Sequence, residues 1–486
     1  MSYKVKINGN EVKTEKARVS AMPFNRRWPG HQRSMDQSEV IDFVLYEGEG
    51  TFEFEIKPET KSNNVVIRPA SLNITPEVSD DGIIRFTLDK PSYFTVEPYG
   101  RQNALHVFVD YPEEYNINKE DENVLYFGEG EHNVGMINLK SNQTLFIDKG
   151  AIVYACVHAV HADNIKIIGR GILDNSRNKE QILFEANEEY NSTAVQNVKR
   201  LHTIQPEYCN NIEIEGITIR DSLVYNIRPI GCENLNIKNV KVIGCWRYNS
   251  DGIDMHNCIN VNIENCFLRT FDDSICIKGL DCYFAKKVDE AVNAAMYQKG
   301  KSYDTFRNVR IRNCVIWNDW GKSLEIGAET KAEEICDIVF ENCDIIHVTG
   351  AVLDCMNVDY ANVHNVIYRN INIEYDDIIP QPLIQRTDAQ EYEMIDTEYS
   401  PHLIRIEVCF HHEYSAGSQK RGKNQNMLFE NIRLYGRHTP KLYFSGYAED
   451  ADTSDITIKS LYLNDKLLTK ADIKTEEKNF CKNIQI

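Results

Sequence analysis

No stretch of these 486 residues is long and apolar enough to span a bilayer as a helix. The first ten residues, Met1 to Asn10, contain no apolar core of the length a secretory leader needs. No CxxC pair occurs among the 14 cysteines, and their spacing fits no framework of a small secreted domain. These absences lead us to expect a cytoplasmic protein whose thiols are reduced and mostly buried. Positive charge is also scarce. Lys and Arg number 54 against 73 Asp and Glu, for a net charge of −19. Such a surface repels nucleic-acid phosphate and anionic membranes, so neither is expected as a partner. The same field disfavours a polyanionic substrate unless a local basic cleft overrides it.

What is present is an ordinary folded composition, 42% hydrophobic and 26% charged. Residues 1 to about 110 hold short alternating runs broken by turns, among them Val40–Tyr46, Thr51–Ile56 and Ile83–Leu88. That texture predicts an N-terminal antiparallel β-sandwich over 1–115, with the acidic stretch Tyr111–Tyr115 leading out of it.

The remainder, 116–486, carries an internal repeat. Segments that open with Asn or Asp and carry large apolar or aromatic residues at the second and fourth places start at Asn164, Asn211, Asn234, Asn260, Asn308, Asp337, Asn365, Asn426 and Asp455. By subtraction the starts lie 47, 23, 26, 48, 29, 28, 61 and 29 residues apart, a unit of 23–29 with three near-double intervals. A period in this range means a solenoid whose coils bury their apolar faces against one another. The leucine pattern of leucine-rich repeats is missing. Alternating strands joined at Asn-bearing corners instead predict a parallel β-helix, all-β and right-handed, with the recurring Asn bonding to backbone and to the next coil's Asn. Cys266, Cys314 and Cys343 fall six residues after a start, where other coils have Ile217, Val240, Ile371, Ile432 or Leu461. That slot points inward, so these thiols read as core. Two inserts interrupt the rhythm, 280–303 with a helix-like stretch and 377–425, and inserts of this kind often wall a binding cleft.

The densest chemical signal lies in Asn249-Ser250-Asp251-Gly252 and Asp272-Asp273. Asp251 and Asp272 are 21 residues apart, close to one coil. Residues one coil apart stack at roughly 4.8 Å, which gathers three carboxyls on one surface. Like charges that close cannot all ionise, so at least one pKa must rise. A protonated acid beside ionised carboxylates is the two-role arrangement that glycoside hydrolysis requires. Turn chemistry by Asn-x-Asp-Gly and Asp-Asp, or calcium binding, are the plainer readings of the same residues.

From Ser222 through Gly279 the chain resembles the polygalacturonases of glycoside hydrolase family 28, which show N-T-D-G, D-D, G-H-G and R-I-K in that order. Here the first two are Asn249–Gly252 and Asp272-Asp273, and the third aligns with Gly321-Lys322-Ser323-Leu324-Glu325. The N-terminal region with Tyr126–His132 resembles the dextranase side of the same clan. The resemblance implies Asp272 as general acid, Asp251 and Asp273 as the bases that position water, and inversion at the anomeric carbon. It also implies that inversion needs room for water between acid and base, roughly 6.5–9.5 Å.

Two departures from the family stand out. Lys322 and Glu325 replace a His and a Ser, and the expected place of R-I-K reads Val352–Asp359. Loss of the pair that grips the substrate carboxylate points away from simple polygalacturonate, with Arg228, Arg247 or Arg386 as replacement cations. Asn249, Lys278, Lys322, Glu325, Arg228, Trp246, Arg247 and Tyr248 are the candidate substrate contacts, with Trp320 a further flanking aromatic. No cofactor and no metal is expected; the pair His411-His412 lacks companion ligands at suitable spacing. The reading is an exo-acting, inverting glycosidase on imported oligosaccharides. A uronate lyase or epimerase and a non-catalytic carbohydrate-binding solenoid are the alternatives. Solenoid side faces often self-associate, but nothing in the sequence marks an oligomer interface.

Overall fold

The computed structural model describes residues 2–22, 24–27, 35–178, 202–247, 249–279, 304–385, 396–412, 414–415 and 419–486. The insert 280–303, Arg386 and Tyr248 lie outside the described residues.

Alternation builds the N-terminal region. In Phe52–Pro58 and Ile84–Leu88 every second side chain is buried, so each strand presents one apolar edge to a shared interior. Two five-stranded sheets result, one including Tyr3–Ile7, Phe52–Pro58 and Ile84–Leu88, the other including Ser38–Glu47, Tyr93–Arg101 and Leu105–Asp110. Phe54, Phe86 and Phe94 interlock at the centre, with Phe54 and Phe86 stacked at 4.8 Å. The sandwich departs from the expected pattern in one place: Ser38–Glu47 and Leu105–Asp110 pair in parallel. Leu105–Asp110 is buried along its whole length because its sheet is covered on both faces. On the outer face Phe43 and Phe108 meet Ile243, Phe267, Val315 and Trp317 from the rest of the chain.

From Val124 onward the chain is a right-handed parallel β-helix. A 22-stranded sheet and a seven-stranded sheet run along it, and each strand pairs in parallel with its counterpart one coil later, save for one short antiparallel turn near the C-terminus. The repeat positions stack in register: Ile212 on Leu235, Val261, Val309, Ile338, Val366, Met427 and Ile456. Phe340, Tyr368 and Phe429 form a stacked column inside, at 4.5 and 4.9 Å. The core cysteines behave as the repeat predicts: Cys266, Cys314 and Cys343 are buried.

All nine repeat starts, from Asn164 to Asp455, adopt the left-handed conformation that turns the corner. Asn and Asp tolerate it because their short polar side chains bond locally. Their amides then climb the helix: Asn211 donates to Asn164 at 2.7 Å, Asn260 to Asn234 at 3.0 Å, Asn308 to Asn260 at 2.6 Å and Asn426 to Asn365 at 2.7 Å. A second ladder, Asn342, Asn370 and Asn431, marks the next corner.

Buried charge joins the two regions. His347 presents one ring nitrogen to Glu97 and the other to Asp376, each at 2.9 Å. Arg68 reaches Glu97, Glu374 and Asp376, and Arg101 lies 3.1 Å from Asp376. Lys241, buried, donates to Asp110 at 2.7 Å and to the carbonyls of Gly216 and Asn239.

Candidate active site

The seven-stranded sheet carries the site. Its inward residues, Ile253, Ile275, Leu324, Leu353 and Ile404, stack in the core. Period-two geometry sends the next residue of each strand to the other face, so Asp254, Cys276, Glu325, Asp354 and Arg405 form one outward column. The triad sits just before these strands. Ile253 pairs with Ile275, a coil of 22 residues, so Asp251 is level with Asp273 and Asp272 lies one residue to the side.

Glycine makes this packing feasible. A Cβ on Gly252 would collide with the Ser274 carbonyl, and one on Gly321 with the backbone of Asp272 and Asp273. Asn318 fixes the Asp272 turn from behind, donating to the Asp272 carbonyl at 2.7 Å and to that of Lys322 at 3.2 Å. The Lys322 backbone N–H donates to Asp273 Oδ1 at 3.0 Å.

The three carboxyls Asp251, Asp272 and Asp273 bring oxygens within 4.8 Å of one another, and all three residues are buried. Lys278 sits among them. Its ammonium lies 2.7 Å from Asp254, 3.9 Å from both Asp251 and Asp273, and 3.7 Å from Glu329. That single charge cannot neutralise four carboxyls, and their pKa values separate. Burial, the Asp254 charge and the Asp272 charge hold Asp251 well above the carboxylate range. Burial raises Asp254 too, against the opposing pull of Lys278. Asp273 moves the other way: burial pushes it up, but Lys322, Lys278 and hydrogen bonds from Glu325 and the Lys322 backbone outweigh that push. The oxygens of Asp251, Asp272 and Asp273 could close on a divalent ion, but Lys278 already supplies positive charge there. A separate group of Glu334, Cys336 and His364 lies on the other sheet.

Lys278, Lys322 and Glu325 are therefore brought to the triad. Arg228 is near it: Ile227 bridges to Ile253, which sets Arg228 beside Asp254, and its described bonds run to His202 at 3.2 Å and His256 at 3.4 Å. Asn249 turns the corner before Asp251 in the left-handed conformation. Trp246 and Arg247 bond to Asp221, with Trp246 Nε1 at 3.0 Å, so their described polar contacts tie the preceding coil rather than the carboxyl cluster. Trp320 stacks on Phe271 at 5.9 Å, directly beside the Asp272 turn. His411 and His412 stack on each other at 5.0 Å, and His411 also stacks on Tyr414.

Sequence reading passed over Asp254, Asp354, Arg405 and Glu329. The first three share a signal: each follows an inward aliphatic residue in its strand. Arg405 stands in Arg405-Ile406-Glu407, one coil beyond the expected basic pair. Its guanidinium holds both oxygens of Asp354, at 2.6 and 2.7 Å.

A right-handed parallel β-helix with a carboxyl cluster on one outer face defines the class of protein. The sequence gives the family: residues 134–399 match the glycosyl hydrolases family 28, and the chain belongs to it. A polygalacturonase of Gossypium barbadense is 24% identical over 230 residues, 45% of this chain and 53% of that protein, so the match spans about half that relative's length. Among solved structures, Dex49A from Penicillium minioluteum superposes with a TM-score of 0.58 at 14% identity, covering 99% of this chain and 87% of that one. The family 28 exopolygalacturonase of Yersinia enterocolitica gives 0.53 at 14% identity, covering 91% and 97%.

Proposed function

We propose that the protein hydrolyses glycosidic bonds of an oligosaccharide at the Asp251–Asp272–Asp273 cluster. The observation that carries this reading is the meeting of three buried carboxyls, with oxygens within 4.8 Å of one another, in surroundings that push Asp251 up and Asp273 down. In this reading the raised Asp251 holds a proton that it shares with Asp272, whose charge helps to raise it. Asp272 delivers it to the glycosidic oxygen as the bond to the anomeric carbon breaks. Asp273, ionised, withdraws a proton from the attacking water, which Asp251 helps to orient. Lys278 balances the charge left behind and offers a donor to a sugar hydroxyl.

The family resemblance implies inversion. The spacing of the triad oxygens, within 4.8 Å, is shorter than the roughly 6.5–9.5 Å usual for inverting pairs. Proton NMR of the first-formed anomer decides between the two outcomes.

The substrate we propose is a neutral or differently substituted oligosaccharide, cut from one end. Two facts support this choice. Asp354 stands on the strand where the family's basic pair is expected, and the Arg405 fork is already occupied by Asp354. Exo-action is part of the same reading.

The test is release of reducing sugar from short galacturonides and neutral α-linked oligosaccharides, wild type beside Asp272→Asn. Turnover of a neutral sugar that is lost in the variant supports the proposal. Turnover of galacturonides alone refutes the substrate assignment. A product absorbing as an unsaturated uronide would assign a lyase, and equal turnover in the variant would remove the triad.

A further inference from the structure

The two departures from the family motif, Lys322 and Glu325, are neighbours in space as well as in sequence, and they meet the triad at Asp273. Glu325 is fully buried on the outward column. Lys322 Nζ donates to its Oε1. On the preceding coil it faces Asp273 and Cys276, with ligand-type atoms of the three residues within 4.8 Å of one another. On the following coil it pairs with Asp354, and beyond that lies Arg405. Tyr368 lies within electrostatic reach of the same group from the interior.

The charges in this nest do not balance if every group ionises. Lys322 and Arg405 face the three carboxyls of Asp273, Glu325 and Asp354, with Glu407 a fourth, 3.6 Å from Arg405, while Lys278, 3.9 Å from Asp273, spends its close contact on Asp254. Arg405 is committed to Asp354 through both oxygens. Lys322 lies 3.9 Å from Asp354 and spends its close contact on Glu325. A neutral Glu325 lowers the excess of negative charge by one. It also gives Asp273 a donor. The Cys276 thiol does not compete for that role: its single proton faces both Glu325 Oε2, at 3.4 Å, and the Gly327 carbonyl.

We propose that Glu325 is a positioning residue that keeps its proton and donates it in a hydrogen bond to Asp273, holding that carboxylate for water activation in place of the family's imidazole. This rests on Asp273 acting as the base. With the Lys322 backbone N–H at 3.0 Å on Oδ1 and the Lys278 ammonium 3.9 Å from Oδ2, Glu325 is the third support of one carboxylate. Burial and the Asp273 charge raise Glu325 and so favour the neutral form. Lys322 acts twice, through its backbone on Asp273 and through its ammonium on Glu325.

Two measurements test this. The first needs no substrate. Infrared spectra of protein labelled with ¹³C-carboxyl glutamate, at neutral pH, are compared for wild type and Glu325→Gln. A labelled carboxylic-acid C=O band present in wild type and lost in the variant supports the proposal. Absence of that band in wild type overturns it.

The second is the pH profile of kcat/KM on the oligosaccharide panel above. Glu325→Gln keeps a neutral donor, so its activity stays within about threefold of wild type and its acid limb stays in place. Glu325→Ala loses the donor, and its acid limb moves up by about one pH unit. An acid limb that moves down in Glu325→Gln means Glu325 was an ionised partner of Lys322, and the proposal fails. If Asp273→Asn keeps full activity, the hydrolytic assignment fails instead, while the infrared arm still reports the proton on Glu325.

Discussion

Two regions of this molecule bury several charges side by side, and they treat them in opposite ways. Where the N-terminal sheets meet the helix, His347, Arg68 and Arg101 interleave with Glu97, Glu374 and Asp376. Around the Asp251 cluster, Lys278 is shared among Asp251, Asp254, Asp273 and Glu329, and Lys322 reaches the cluster only at Asp273. In the first region the pairing outweighs the cost of burial. Glu97 is driven down to about 2, burial opposing but His347 and Arg68 prevailing, and Asp376 likewise falls far below its usual range. Only Glu374, at the edge, is raised by its burial. In the second, burial and like charge win, and Asp251, Asp254 and Glu325 rise. A saturated network holds parts together; an unsaturated one keeps protons available for transfer.

That contrast can be broken by substitution. Asp272→Asn should lower kcat/KM by about 10²–10⁴-fold, the usual share of a general acid, with the melting temperature little changed. Steady-state assays beside thermal unfolding separate the two quantities. Glu97→Ala should do the reverse. Removing one partner of a buried pair costs about 3–5 kcal/mol, read as a lower urea midpoint, while the folded fraction keeps its turnover. A large activity loss in Glu97→Ala at full folding would erase the distinction.

The same contrast is sharpened by pH. Glu97 and Asp376 have folded pKa values below their unfolded ones, so their stabilisation is complete above the unfolded pKa. It is lost as pH falls from the usual 4.5 of a Glu toward about 2. Urea titrations across that window should show a steep loss in wild type and a flatter one in Glu97→Gln. The raised carboxyl Asp251 carries the opposite sign. The folded state binds the extra proton, so stability falls as pH rises through and above the unfolded pKa. Asp251→Asn removes that penalty and should raise stability near pH 7 by about 1 kcal/mol while abolishing activity, a stability–activity trade-off. A lower melting temperature in that variant would show that the cluster contributes net cohesion.

The solenoid was legible in the sequence because its cause is local. Every repeat start must place a left-handed residue at a corner and an aliphatic pair just after it, and both demands are met within a few residues, as in Asn260-Val261-Asn262-Ile263. The triad was legible for a related reason: a coil near 22 residues turns a sequence interval into a spatial contact. Arg405 was not legible as part of the site. It lies 51 residues beyond Asp354, inside the stretch 377–425 that reads as an insert, and only the pairing of Leu353 with Ile404 shows that the two are neighbours. The partners of Trp246 and Arg247 were not legible for the complementary reason. Only five and four residues before Asp251 in sequence, these two side chains bond to Asp221 on the coil before.

By itself, then, the sequence determined the β-helix, its corners, its inward slots and the gathering of Asp251, Asp272 and Asp273. These follow from period, side-chain alternation and backbone conformation, all short-range properties. Only the tertiary structure decided which carboxyls share a cation, which are pushed up and which down, and that Lys322 and Glu325 meet at Asp273. Those outcomes depend on burial and on the sum of charges from five successive coils, quantities that no single stretch of chain contains.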